Sequence, residues 1–283
     1  MKTLVHLSDL HFGRVDHALI EPLVQHIITL APDVVVVSGD LTQRARSDEF
    51  KQARAFLARL PGPQVVVPGN HDVPLYNVID RFLRPLDKFR RFITHDLCPS
   101  HIDDELAVLG INTARSLVVK NGRINGGQLA ALRNTLQALP TELVKVVVTH
   151  HPFDVATSVD EDNRVGRAAL AMNLFAEQAV DVLLAGHLHM SHSAGTGSRY
   201  ALGGYEALVV SAGTATSTRG RGEANSFNVL RLDKQRVEVE RMEWTSGDGR
   251  FLTASNEVFE RTRDGWREVD RNAAVTLEPR RPS

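Results

Sequence analysis

VVVPGNHDV (residues 65–73) opens as an apolar, β-branched run and closes on Asn70, His71 and Asp72. Consecutive valines fit a strand covered on both faces. A turn explains Pro68, Gly69 and Asn70, but it does not specially explain the His-Asp pair. The pattern recurs. TLVHL (3–7) feeds Asp9 and His11, and DVVVVS (33–38) feeds Gly39 and Asp40. VKVVVT (144–149) feeds His150 and His151, and DVLLA (181–185) feeds Gly186, His187, Leu188 and His189. LAVLGI (106–111) and ALVVSA (207–212) are further apolar runs of the same kind.

Residues 17–30, 48–60, 127–139 and 167–179 instead repeat apolar side chains at helical spacing. Strands alternating with helices predict an α/β protein with a largely parallel sheet. Beyond about residue 199, strand signals at 206–213, 226–232 and 235–244 continue without long helices, so antiparallel strands are expected to complete a second sheet. One domain over 1–265 and a loose tail over 266–283 are the expected organisation.

With 42% hydrophobic and 24% charged residues, the composition is that of an ordinary globular chain. A formal net charge of -1 supplies no basic field to recruit nucleic acid. The single Cys98 excludes an internal disulfide and a cysteine zinc knuckle. No apolar run approaches a membrane span, and Asp9 interrupts an opening too short for a signal peptide. The expected location is cytoplasmic, with no membrane partner. The strand-rich region after 199 is a candidate edge for a homodimer.

In open α/β sheets ligands bind beyond the carboxyl ends of the strands, so the polar exits are expected to share one crevice. Asp9 and His11 lie two residues apart, as do His187 and His189. In extended chain such pairs face one side, turning Leu10 and Leu188 to the core. Imidazoles and carboxylates without thiolates suit Mn, Fe, Zn, Co or Ni. Asp9, His11, Asp40, Asn70, His150, His187 and His189 are too many ligands for one tetrahedral ion. They suffice for two ions sharing a carboxylate, about 3.5–4 Å apart. A lone Gly-Asp is commonly a turn; five such exits together argue for a metal site. His6 is expected in the core, and His17, His26, His95, His101 and His192 on helices, loops or the surface.

The ordered set DLH (9–11), GD (39–40), GNHD (69–72), HHP (150–152) and GHLH (186–189) resembles the calcineurin-like metallophosphoesterase superfamily. SDLHFG, SGDLTQ and GINTARS are similar to its bacterial class III cyclic-nucleotide phosphodiesterases. The resemblance implies a two-sheet sandwich flanked by helices, a four-layer αββα fold. It implies a first metal on Asp9, His11, Asp40 and His189, and a second on Asp40, Asn70, His150 and His187. His150 is chosen over His151 because the family places the ligand two residues before this proline. Some relatives carry Asp or Asn where this chain has Gln43. Iron or manganese is the expected metal pair.

The implied reaction is hydrolysis of small phosphodiesters, 3',5'-cyclic nucleotides among them, by metal-activated hydroxide attack on phosphorus. His71 is expected to face the phosphate and either stabilise the phosphoryl charge or protonate the leaving oxygen, with Asp72 orienting its imidazole. His11, Asn70 and His189 are expected beside it at the substrate. Phosphomonoesterase, nucleotidase or pyrophosphatase activity is the alternative on the same site, and a non-catalytic interaction scaffold the alternative of another class. Loops 113–126 and 153–167 are candidate lids, carrying Arg115, Arg123 and Arg164 as phosphate contacts or solvated charges.

Overall fold

In the computed structural model the apolar runs become short strands whose two faces meet different neighbours. Residues 1–117, 121–155, 163–200, 202–218, 223–263 and 265–269 are described. In chain order the elements are β1 (Lys2–Leu7), α1 (His17–Leu30), β2 (Val34–Val37), α2 (Ser47–Leu57), β3 (Gln64–Val66), α3 (Val78–Leu83) and α4 (Asp87–Phe92). Next come β4 (Ser100–Ile102), β5 (Leu106–Gly110), α5 (Gly126–Ala138), β6 (Val144–Val148), α6 (Ala168–Glu177), β7 (Val182–Ala185) and β8 (His192–Gly195). β9 (Leu208–Ser211), β10 (Ser226–Leu232), β11 (Arg236–Thr245), β12 (Arg250–Thr262) and β13 (Gly265–Glu268) follow.

One sheet runs β13-β12-β11-β10-β1-β2-β3 and the other β4-β5-β6-β7-β9-β8. Strand alternation sorts the valines. Val34, Val36, Val65, Val146, Val148 and Leu184 meet between the sheets. Val35, Val37 and Val66 turn outward under Leu19, Leu23 and Phe50 of α1 and α2. Val147 and Leu183 do the same beneath Leu132, Leu136 and Phe175 of α5 and α6. The result is the four-layer αββα arrangement, with one apolar layer between the sheets and one under each helical face.

Three expectations change. The parallel strands do not share one sheet: β1, β2 and β3 lie in the first, and β5, β6, β7 and β9 in the second. Nor do the strands after 199 all complete the second sheet. β9 does, but β10 to β13 extend the first, with β10 antiparallel to β1 and Val5 opposite Val229. The physical reason is the open side of β1, whose backbone donors and acceptors β10 satisfies. The expected tail also begins later than 266, because Trp266 to Glu268 belong to β13; residues 270–283 lie outside the described residues, as do parts of both candidate lids (118–120 and 156–162).

At the start of β7 a polar clamp joins the two sheets. Asp181, 2% exposed, accepts hydrogen bonds from the Lys145 backbone N–H and Lys234 Nζ, both at 2.8 Å, and from Arg261. The Arg261 guanidinium lies 4.3 Å over the Trp266 ring, whose Nε1 donates to the Asp181 carbonyl. Removing Asp181 leaves the buried Lys145 N–H without its acceptor and takes the partner from Lys234 and Arg261, at a cost of about 3 kcal/mol. Asp181→Ala is therefore expected to lower the melting temperature by roughly 6–10 °C, measured by calorimetry, while leaving the distant strand exits intact.

Candidate metal centre

β1, β2, β3, β6 and β7 release their following residues at one end of the sandwich. β1 and β2 stay side by side past their ends: the Asp9 N–H donates to the Gly39 carbonyl (3.1 Å) and the His11 N–H to the Asp40 carbonyl (2.9 Å). The second sheet joins them there, because the His187 N–H donates to Asp9 Oδ2 at 3.1 Å. This close approach needs Gly186. A Cβ at that position would lie 1.8 Å from Ser8 Oγ, which itself donates to Asp9 Oδ2 at 2.7 Å.

The paired residues do not converge through extended chain. Asp9, His11, Asp40, His187 and His189 all take left-handed backbone, with φ of 54°, 48°, 53°, 72° and 57°. Each strand has ended before them, and a left-handed residue reverses the chain within one step. For residues other than glycine this costs about 1–3 kcal/mol each, and such strain gathers at functional sites. Leu10 still turns inward, fully buried in the core.

The side chains form two adjoining groups. In one, Asp9 Oδ1 lies 3.5 Å from His11 Nε2 and 3.6 Å from His189 Nε2. In the other, His150 Nε2 lies 3.4 Å from Asp40 Oδ1 and 3.0 Å from Asn70 Oδ1, and His187 Nδ1 lies 3.1 Å from the same amide oxygen. Asp40 belongs to both groups, since its Oδ2 is 3.7 Å from His11 Nε2. Asp9, His11, Asp40, His150, His187 and His189 are all buried.

Donor atoms about 2.1 Å from one ion stand roughly 3.0–3.4 Å from one another, so this spacing suits cations. The tautomer makes the case sharper. His150 Nδ1 donates to the Ser38 carbonyl at 2.7 Å. Nε2 then faces the oxygens of Asn70 and Asp40, so either a proton or a cation must lie between them. Asp9 Oδ1 is likewise buried without a hydrogen-bond donor. Oxygen and nitrogen lone pairs gathered this tightly call for shared positive charge.

The electrostatics agree. Burial opposes ionisation of Asp9 and Asp40, yet the surrounding histidines hold both carboxyls below their ordinary range. Burial also opposes charge on His150, but Asp40, through its charge and its contact with the ring, pushes it up to about 9. Burial, then the charge of His150, pushes His187 down to about 3. Two imidazoles with centroids 5.2 Å apart are thus driven in opposite directions, as when neighbouring bases compete for one cation.

The structure brings the sequence-predicted residues together but changes one role. His71 Nδ1 donates to the Gln43 carbonyl at 2.9 Å, so Gln43, not Asp72, orients this imidazole. Asp72 instead accepts from the backbone N–H groups of Leu41, Thr42 and Gly69 and from Thr42 Oγ1, tying the GNHD turn to the loop after β2. Its four acceptor positions are filled. His71 remains at the site, its ring edge-on to His11 at 4.9 Å and its backbone N–H donating to Asp40 Oδ1 at 2.8 Å. Asn70 and His71 are half-buried, whereas His11 and His189 are covered.

Other supports escaped the sequence reading. Thr214 Oγ1 is 2.6 Å from His189 Nδ1, and Thr113 Oγ1 is 2.8 Å from His151 Nδ1. Only the fold brings these threonines near, so no local pattern announces them. His151 packs 4.7 Å from the His187 ring, but it is His150 that reaches Asp40 and Asn70. His6 is buried as expected, 2.9 Å from Ser38 Oγ. Arg115 donates to the carbonyls of Asn112 and Ala114 and to Gln128, which makes it a brace for its loop. Arg164 donates to the Tyr200 hydroxyl at 3.2 Å.

A model of the calcineurin-like phosphoesterase family matches residues 2–191. The chain is 26% identical over 201 residues to a protein of Arcobacter nitrofigilis named probable glycerophosphodiester phosphodiesterase, covering 66% of this chain and 71% of that one. It is 23% identical over 199 residues to a protein of Ruthia magnifica named probable cyclic nucleotide phosphodiesterase, covering 67% and 79%. Among solved structures, a purple acid phosphatase from yellow lupin superposes with a TM-score of 0.69 at 13% identity, over 92% of this chain and 54% of that one. A dimetal phosphatase from Danio rerio superposes with a TM-score of 0.61 at 14% identity, over 90% and 98%. These two likenesses speak for the fold.

Proposed function

Because the chain belongs to the calcineurin-like phosphoesterase family, we propose that its clustered histidines and aspartates make it a two-cation hydrolase of small phosphodiesters. In this reading Asp9, His11, Asp40 and His189 hold one ion, and Asp40, Asn70, His150 and His187 hold the other. The observation that carries it is the buried Asp40 carboxylate standing between both groups, 3.7 Å from His11 Nε2 and 3.4 Å from His150 Nε2, with Asn70 Oδ1 3.0 Å from the same His150 atom. Both named relatives carry phosphodiesterase names, which favours diesters over monoesters, and cyclic nucleotides are one such class.

When bound, two ions supply Lewis acidity to a phosphoryl oxygen and lower the pKa of water. The protein's own part is positional. Ser38 and Thr214 fix the rings of His150 and His189, as supporting partners of metal-ligating histidines do. Gln43 holds His71 with Nδ1 toward its carbonyl, so Nε2 is the atom that exchanges a proton with the leaving oxygen. Asp72 keeps Asn70 and His71 on one rigid turn. The ligands' imidazole and carboxylate character suits iron or manganese, with zinc, cobalt and nickel also compatible.

The test is metal analysis of the purified chain with a substrate panel. Manganese-loaded protein is expected to cleave bis(p-nitrophenyl) phosphate and at least one of glycerophosphodiesters or cyclic nucleotides faster than p-nitrophenyl phosphate. Chelation should abolish turnover, and manganese should restore it. A chain that takes up no metal and turns over none of these substrates is a scaffold, and the proposal fails.

A further inference from the structure

Directly after the GNHD turn, the chain exposes apolar side chains that the hydrolytic reading does not use. Leu75, Tyr76, Val78, Ile79, Phe82 and Leu83 are 44–76% exposed, although most of the protein's large apolar residues are buried. They lie on α3 and the segment leading into it, and α3 buries only Arg81, which donates to the Pro74 carbonyl. Clustered exposed apolar side chains of this kind mark interaction sites.

The neighbouring charge has a basic excess: Lys88 lies 3.8 Å from Asp80 and Arg90 4.0 Å from Asp87, which leaves Arg84 and Arg91 beyond those pairs. A cleft of about 610 Å³ between α3 and α4 is lined by Arg84, Lys88, Arg90 and Arg91 against the carboxylates of Asp80 and Asp87. Arg44 adds a further cation at the rim, 5.2 Å over the Tyr76 ring. The whole chain carries -1, so this excess is local. The face also adjoins the site: one loop gives the Gln43 carbonyl to His71, Arg44 to Tyr76 and the Ala45 carbonyl to Lys88 Nζ.

We propose that residues 75–91 form a docking surface for an anionic lipid bilayer. The apolar side chains of α3 enter the interface while Arg84 and Arg91 meet lipid phosphates. Apolar anchors beside basic residues are the combination that interfacial helices use, because each type of contact alone binds weakly. A second copy of this chain fits less well, since an isologous contact would bring the same arginines of both copies together. Among the described residues no helix is long and apolar enough to cross a membrane, so the contact is with the surface. It qualifies the sequence-based expectation of no membrane partner. The proposal concerns binding and stands apart from the metal-site reading.

The test is sedimentation of the full chain with vesicles of phosphatidylcholine alone and of phosphatidylcholine mixed equally with phosphatidylglycerol. About tenfold or more extra binding to the anionic vesicles is expected, weakening as salt screens the charges. Two paired variants, I79S with F82S and R84E with R91E, should each lose at least about tenfold of that binding. Both pairs replace exposed side chains, so their melting curves should match the parent's. Equal or no binding to the two vesicle types, or full binding by both variant pairs, overturns the proposal. A parent dimer that both pairs dissociate, without vesicle binding, would assign the face to a second copy instead.

Discussion

Asp40→Asn is expected to leave a folded chain that has lost most of its metal and about a thousandfold of its turnover. Asp40 stands in both donor groups, 3.7 Å from His11 Nε2 and 3.4 Å from His150 Nε2. Asparagine keeps one side-chain oxygen for the His71 N–H, which Asp40 Oδ1 accepts at 2.8 Å, so the GNHD turn retains its anchor. What is lost is the negative charge, and with it a ligand able to serve two ions. Lewis-acid stabilisation is worth several kcal/mol in such sites. At 1.36 kcal/mol per decade, that corresponds to about three decades in rate. Asp40→Ala should do at least as much and should also loosen the turn. The measurements are metal content by mass spectrometry, thermal melting without metal, and turnover with excess manganese. Two ions per chain with unimpaired turnover in the asparagine variant would remove Asp40 as the shared ligand.

The sequence exposes this residue because the signal is local. An apolar run ending in Gly-Asp is visible wherever it occurs, and the same holds for the other strand exits. Helix α1 reads correctly from 17 to 30 because its periodicity is internal. What depends on distant chain is not visible. Nothing around Phe227 says that Val229 will lie opposite Val5, so the sheet joined by β10 to β13 cannot be read locally. The i, i+2 spacing of Asp9 and His11 suggests extended chain, whereas tertiary bonds to the β2 exit hold both residues left-handed. α3 goes unread for another reason. Its six residues are too short for a repeat, and its apolar side chains face solvent rather than a core. The adjacency of Asp72 to His71 likewise suggests a partnership, but the carboxylate turns back to the loop after β2.

His71 and the residue beside it are therefore expected to separate by experiment. His71→Ala should lower kcat by about 10²–10⁴-fold, the range of a positioned acid or base, while both metal equivalents remain. Its imidazole is held through Nδ1 by the Gln43 carbonyl, so its removal takes away no donor of the two groups around Asp40. The size of the loss should depend on the leaving group. An alkoxide needs a proton far more than p-nitrophenolate does, so the alanine variant should be impaired most on alkyl diesters. A group that only stabilises phosphoryl charge would slow both substrates alike. Asp72→Asn should behave differently. Its carboxylate accepts three backbone N–H groups and a hydroxyl, and an amide cannot accept all four. This variant should lose thermal stability, with no preference between leaving groups. Unchanged kcat in His71→Ala, with metal content verified, would take the proton-transfer role away from this histidine and leave the leaving oxygen to be protonated by solvent.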